Sequence, residues 1–247
     1  MTSTFTNARV RMASAMQYFF WLHPEWWSRA LCGLAWALML LQGWRHAGHE
    51  AHHWMSFAQE LGYWMLMAAA MMLPLVLYSV WVTAIGSLWA RRHRAIAGFL
   101  GGYFAPWLVL GIVVAGMRQG SWAHNYSAAA LGFVAAALWQ LTTMHKRALI
   151  ACHRTLPLAP LGWRADRDCL RFGGTIGVAC VCSCWPLMLA CAFAEHGLIA
   201  MTGGMVVSAM ERWSFRPRRR TVLVATLALA SYYVVLTLRC RSFVITP

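Results

Sequence analysis

Cys180, Cys182, Cys184, Met188 and Cys191 crowd into GGTIGVACVCSCWPLMLACAFAE, the apolar run from Gly173 to Glu195. On a helix turning about 100° per residue, Cys180, Cys184, Met188 and Cys191 recur at steps of four, four and three and form one stripe, while Cys182 points elsewhere. Thiolates and thioethers are soft donors, so such a stripe suits Cu(I), and its thiolates would also accept Zn. The competing reading is packing, because Cys and Met also fill apolar helices as small or adaptable residues.

A second sulfur-rich stretch is WMLMAAAMMLP, Trp64 to Pro74. Met67 and Met71 are four apart and Met65 and Met72 seven apart, which gives one helix two thioether faces. At 1.5 Å per residue, Met71 lies ~15 Å from the outer end near Leu61, and Cys180 lies ~14 Å from the opposite boundary at Arg171. Both depths fall near mid-bilayer. The expectation is a shared Cu(I) site built from Met67, Met71, Met72, Cys180, Cys184 and Met188, with zinc as the alternative metal and packing as the alternative role.

The loop RHAGHEAHHW carries His46, His49, His52 and His53 beside Glu50. If it is helical, His46, His49 and His53 share a face, and imidazole suits Cu, Zn or Ni. A solvated interfacial loop is the plainer reading. Cys152-His153, Glu195-His196 and Glu211 read as interfacial charge.

Hydrophobic residues make up 60% of the chain and charged residues 11%, with a mean hydropathy of +0.53. A soluble domain carries about 25% charge, so this is a polytopic membrane protein. The net charge of +14 sits in short segments between apolar runs, which is a topology signal and excludes a nucleic-acid partner. Four of the eight cysteines share one apolar run, which argues against disulfide scaffolding. No phosphate-binding loop, phosphorylation motif or Ser/His/Asp pattern is present, so a primary pump or hydrolase is disfavoured and the chain leans away from an enzyme.

An all-α bundle of about seven transmembrane helices follows, as one domain over residues 1–247, with no removable signal peptide. The spans run Trp27–Trp44, Leu61–Trp89 with Pro74 inside, Gly98–Met117, Ser127–Met144, Gly173–Glu195, Leu198–Arg212 and Thr221–Leu238. The sixth is short and carries Gly203 and Gly204, so it is re-entrant if the count is six. Gly98 with Gly102, and Gly173 with Gly177, permit close helix approach. A cytoplasmic N-terminus puts all but Arg45, Arg118, Arg239 and Arg241 of the 21 Lys and Arg inside.

Trp64 to Pro74, Gly102-Tyr103-x3-Trp107, Cys152-x-Arg154, Gly177-x2-Cys180-x3-Cys184-Trp185-x2-Met188 and Glu211 together resemble the bacterial predicted metal-binding integral membrane proteins. The resemblance spans roughly Trp27 to Trp213 and implies a multi-pass protein of the bacterial inner membrane with a Met/Cys metal site. Cys182 stands where that family usually has Gly. The functional expectation is Cu(I) binding, delivery or transfer in the bilayer, fed from outside by the histidines and directed to a membrane protein partner such as a metal-dependent membrane enzyme. The alternative is an assembly subunit of a larger complex, its Met and Cys serving packing and its glycine faces docking partner helices.

Overall fold

The computed structural model describes residues 23–46, 56–119, 126–159, 161–194, 197–213 and 219–245. Among these the chain is helical, without a strand: α1 Trp26–His46, α2 Phe57–Ile85, a 3-10 turn Trp89–Arg91, α3 Arg92–Arg118, α4 Tyr126–Leu141, α5 Thr143–Ala151, α6 Gly162–Phe193, α7 Leu198–Trp213 and α8 Arg219–Ile245. Four helical stretches are long and apolar enough to cross a membrane: α2, Trp89–Arg118, α6 and the Arg220–Arg239 part of α8. The pair α4 and α5, bent by 79°, makes a fifth if counted as one span. These stretches are consistent with a multi-pass membrane protein, and among the described residues four or five of the seven expected spans meet that length and composition. α1 mixes Trp, Gly and Gln42 among its aliphatic residues. α7, with 16 residues, is ~24 Å long against a hydrocarbon thickness of ~30 Å.

Two boundaries move in ways that matter for the site. α6 begins at Gly162, not Gly173, because hydropathy marks the apolar part of a helix and misses its polar first turns. Gly162 has φ +77°, a conformation glycine reaches at no steric cost. The span expected over Ser127–Met144 ends instead at Leu141. There Thr142 accepts the His145 N–H on its hydroxyl and donates that hydroxyl to the Trp139 carbonyl, capping a new helix in a new direction.

α6 is the hub, packing against α2, α3, α4, α5 and α7. Its most extensive contact is with α3, where glycine brings the backbones together. A Cβ on Gly173 would collide with the Phe99 carbonyl, and one on Gly177 would lie 2.5 Å from the Tyr103 carbonyl. Gly102 faces the Leu170 carbonyl equally closely, whereas a Cβ at Gly98 would make only ordinary contact, 3.6 Å from Cys169. Gly102, Gly173 and Gly177 are therefore used inside the chain, in the seam between α3 and α6.

Helix prolines deprive the carbonyl four residues earlier of its donor. Pro74 does so to Ala70, and the Trp36 indole of α1 donates to that carbonyl at 2.9 Å. Pro186 does so to Cys182, and the Trp139 indole of α4 donates there at 3.0 Å. Near the start of α2 the buried Glu60 pairs with Arg118 at 2.9 Å, and Arg118 also donates to the Ala192 carbonyl at 2.6 Å. Three helix ends are tied by that one guanidinium.

Candidate metal centre

One sulfur pair joins α2 to α6. Cys180 Sγ lies 3.8 Å from Met72 Sδ. Two sulfurs bound to one metal at about 2.3 Å each stand roughly 4 Å apart at a trigonal angle, so the pair has the span of a shared soft ion. The Tyr103 hydroxyl of α3 lies 3.2 Å from Cys180 Sγ and 3.5 Å from the Met72 carbonyl. It reaches there because Gly177, three residues before Cys180, lets the Tyr103 backbone onto α6. Met72, Tyr103 and Cys180 have no exposed surface.

Cys184 lies one helical turn on and is close enough to Cys180 for their thiols to interact. The Ser183 hydroxyl donates to the Cys180 carbonyl at 2.9 Å and lies 3.4 Å from Cys184 Sγ. Cys152, at the end of α5, is brought in by the Thr142 bend, and Arg212 of α7 donates to its sulfur at 3.3 Å. Arg212 is buried and in electrostatic range of Cys180, Cys152, Cys184 and Tyr103, while its Nε has no partner. A buried cation is stabilised by negative charge nearby, which thiols that lose their proton on binding a metal would supply.

The other expected ligands distribute unevenly. Met71 turns about 100° from Met72, with Met67 on its own face. Its Cε and Cys191 Sγ meet above Gly204 of α7, where an added Cβ would lie 2.9 and 3.0 Å from them. Met67 and Met188 are fully buried in the core. Cys182 is exposed, as the stripe predicts. His46 ends α1, and His49, His52 and His53 lie outside the described residues, as do Glu50, Glu195 and His196.

Glu211 is a correction. Read as an interfacial charge, it is instead buried and pairs with the equally buried His145 at 3.2 Å. The second ring nitrogen of His145 faces the Ser183 carbonyl at 3.1 Å, so a doubly protonated ring satisfies both oxygens. This ion pair adjoins the sulfur cluster through Ser183.

The family model for PpoB2, described as a copper chaperone, matches residues 61–236. The chain belongs to this copper chaperone family. No curated protein and no solved structure matches it. Copper, a soft cargo ion, fits the Met72–Cys180 pair and its thiol neighbours. Among the described residues no three His, Cys, Asp or Glu side chains form a group able to hold a metal, so Cys152, Cys180 and Cys184 are not a ready three-thiol site and zinc gains no support. The copper chaperone match contains Met72, Tyr103, Cys152, Cys180, Cys184 and Arg212 and excludes His46, His49, His52 and His53. Sequence reasoning quoted Tyr103 only within a motif, did not single out Arg212 and set Cys152 aside, although the structure places all three beside the sulfurs. A usable signal was the spacing Gly204, Ser208, Arg212, one face of α7.

Proposed function

We propose that the protein binds Cu(I) inside a bacterial inner membrane and hands it to a protein partner, such as a metal-dependent membrane enzyme. Met72 and Cys180 hold the ion, Cys184 and Cys152 exchange onto it, and Arg212 offsets the charge of the thiolates. One observation carries this reading: in a copper chaperone family member, a thiol and a thioether from separate helices stand 3.8 Å apart in the core. Cu(I) accepts few, soft ligands, and a low coordination number leaves room for an incoming ligand from the acceptor. Met67, Met71 and Met188, with Cys191, continue the soft lining toward the outer side. His46, His49, His52 and His53 gather copper there, and the basic loops keep the N-terminus cytoplasmic.

The test is elemental analysis of protein purified in detergent and loaded with Cu(I) under reducing, anaerobic conditions. The wild type retains about one equivalent of copper after desalting, and a Met72→Leu/Cys180→Ser protein retains none. Equal copper in the two proteins would remove the site.

A further inference from the structure

The cluster has an approach from one side. A groove of about 480 Å³ is lined by Lys146, Leu149, Ile150, His153, Glu211 and Val222, among others, between α4, α5, α7 and α8. Behind it a void of about 10 Å³, barely a water's room, is lined by Cys184, Ser183, Gln140 and Glu211. Gln140 and Glu211 line both spaces, so they form the wall between the groove and Cys184. Both stand on helices, and their side chains have partners. Gln140 is held by Thr226 of α8 at 3.1 Å, and Glu211 by His145 at 3.2 Å.

The charge at this approach selects its visitor. Lys146 and His153 are exposed on the groove, and the negative charge of Glu211 is matched by His145. An incoming free cation meets Lys146, while an anion meets a complementary rim. We infer that the groove admits an anionic thiolate ligand that takes copper from Cys184, whether a small-molecule thiol or a cysteine-bearing peptide segment. In the exchange, the Cu(I)–S bond to Cys184 breaks with its electron pair remaining on Cys184. The bond to the incoming thiolate forms, and copper stays Cu(I) throughout. The inference rests on Cys184 belonging to the copper-holding cluster.

Two measurements separate the groove from the copper reading. In metal-free protein, mass spectrometry follows alkylation of Cys184 by iodoacetate and by iodoacetamide. Lys146→Glu lowers the iodoacetate-to-iodoacetamide rate ratio at Cys184 by about fivefold or more, while Ile150→Trp, which fills the groove from an exposed position, slows both reagents. In copper-loaded protein, reduced glutathione removes copper faster than its monoethyl ester, which has the same thiol and one negative charge fewer, and Lys146→Glu abolishes the difference. A cysteine peptide carrying an acidic flank, tested against its amidated form, distinguishes a protein acceptor from a small thiol by the larger rate. A Cys184 rate ratio indifferent to Lys146→Glu, in a protein that holds copper, overturns the groove and leaves the copper site standing. A wild type that holds no copper but shows the Lys146-dependent ratio overturns the copper reading and leaves the anion-selective groove.

Discussion

The Trp139 indole N–H donates to the Cys182 carbonyl at 3.0 Å, replacing the backbone donor that Pro186 cannot supply. The bond sits beside the sulfur cluster, on the turn of α6 that carries Cys184. Trp139→Phe keeps an aromatic ring near Trp185 but leaves the carbonyl bare, and should cost about 1 kcal/mol in a bilayer-like environment. Pro186→Ala restores an N–H at the missing position. Thermal unfolding in detergent should therefore show Trp139→Phe lowering the midpoint in the Pro186 protein and hardly changing it in Pro186→Ala. Equal shifts in both backgrounds would mean that the indole acts by packing alone.

The α3–α6 seam makes a sharper prediction about glycine. Added Cβ atoms at Gly173 and Gly102 run into backbone carbonyls of the facing helix, which cannot rotate aside, so Gly173→Ala and Gly102→Ala should each destabilise by about 3 kcal/mol or more. Gly98→Ala, with ordinary contact at 3.6 Å, should be neutral to mildly stabilising through helix propensity. Fluorescence-detected size exclusion after a heating series ranks the three. A Gly98→Ala protein as unstable as Gly173→Ala would contradict the seam.

What the sequence made legible is what repeats along one helix. The Cys180–Cys184–Met188–Cys191 face followed from a 100° turn per residue, and the pairing of the Met72 stretch with Cys180 followed from depth along two apolar runs. Features created by direction changes were hidden. Nothing in LTTMH announces a bend without Gly or Pro, yet the Thr142 cap carries His145 and Cys152 to α6. Glu211 looked interfacial because it precedes Arg212 and Trp213, and only the returning α5 shows that it is buried against His145. The short sixth span was legible as well: α7 has 16 residues, ~24 Å of helix, less than the bilayer's hydrocarbon thickness.

The Glu60–Arg118 pair, with side chains 7% and 5% exposed, fastens α2, α3 and the end of α6. Glu60→Gln leaves the guanidinium buried without a counter-charge, a loss of about 3–5 kcal/mol. Glu60→Leu with Arg118→Met removes both charges and should be less destabilising than Glu60→Gln, even though the Ala192 carbonyl loses a donor. Chemical unfolding of the two proteins gives the order directly. The reverse order would make the Ala192 contact the dominant part of the clamp.

The Tyr103 hydroxyl distinguishes a copper site from sulfur that only packs. It lies 3.2 Å from Cys180 Sγ, close enough to donate to that sulfur once a bound soft metal has displaced the thiol proton. Tyr103→Phe keeps the ring stacked near Phe99 and removes one oxygen. If Cys180 holds Cu(I), competition against a Cu(I) chelator should show affinity falling about tenfold in Tyr103→Phe, in the range that outer partners of metal ligands command. Cys182→Ser, at an exposed position on the same helix, should leave affinity unchanged. Stability reads out the alternative: if sulfur packs and nothing more, Tyr103→Phe shifts the unfolding midpoint while both variants bind copper as the wild type does. A Cys182→Ser protein that loses affinity as far as Tyr103→Phe would move the ligand set to the other face of α6.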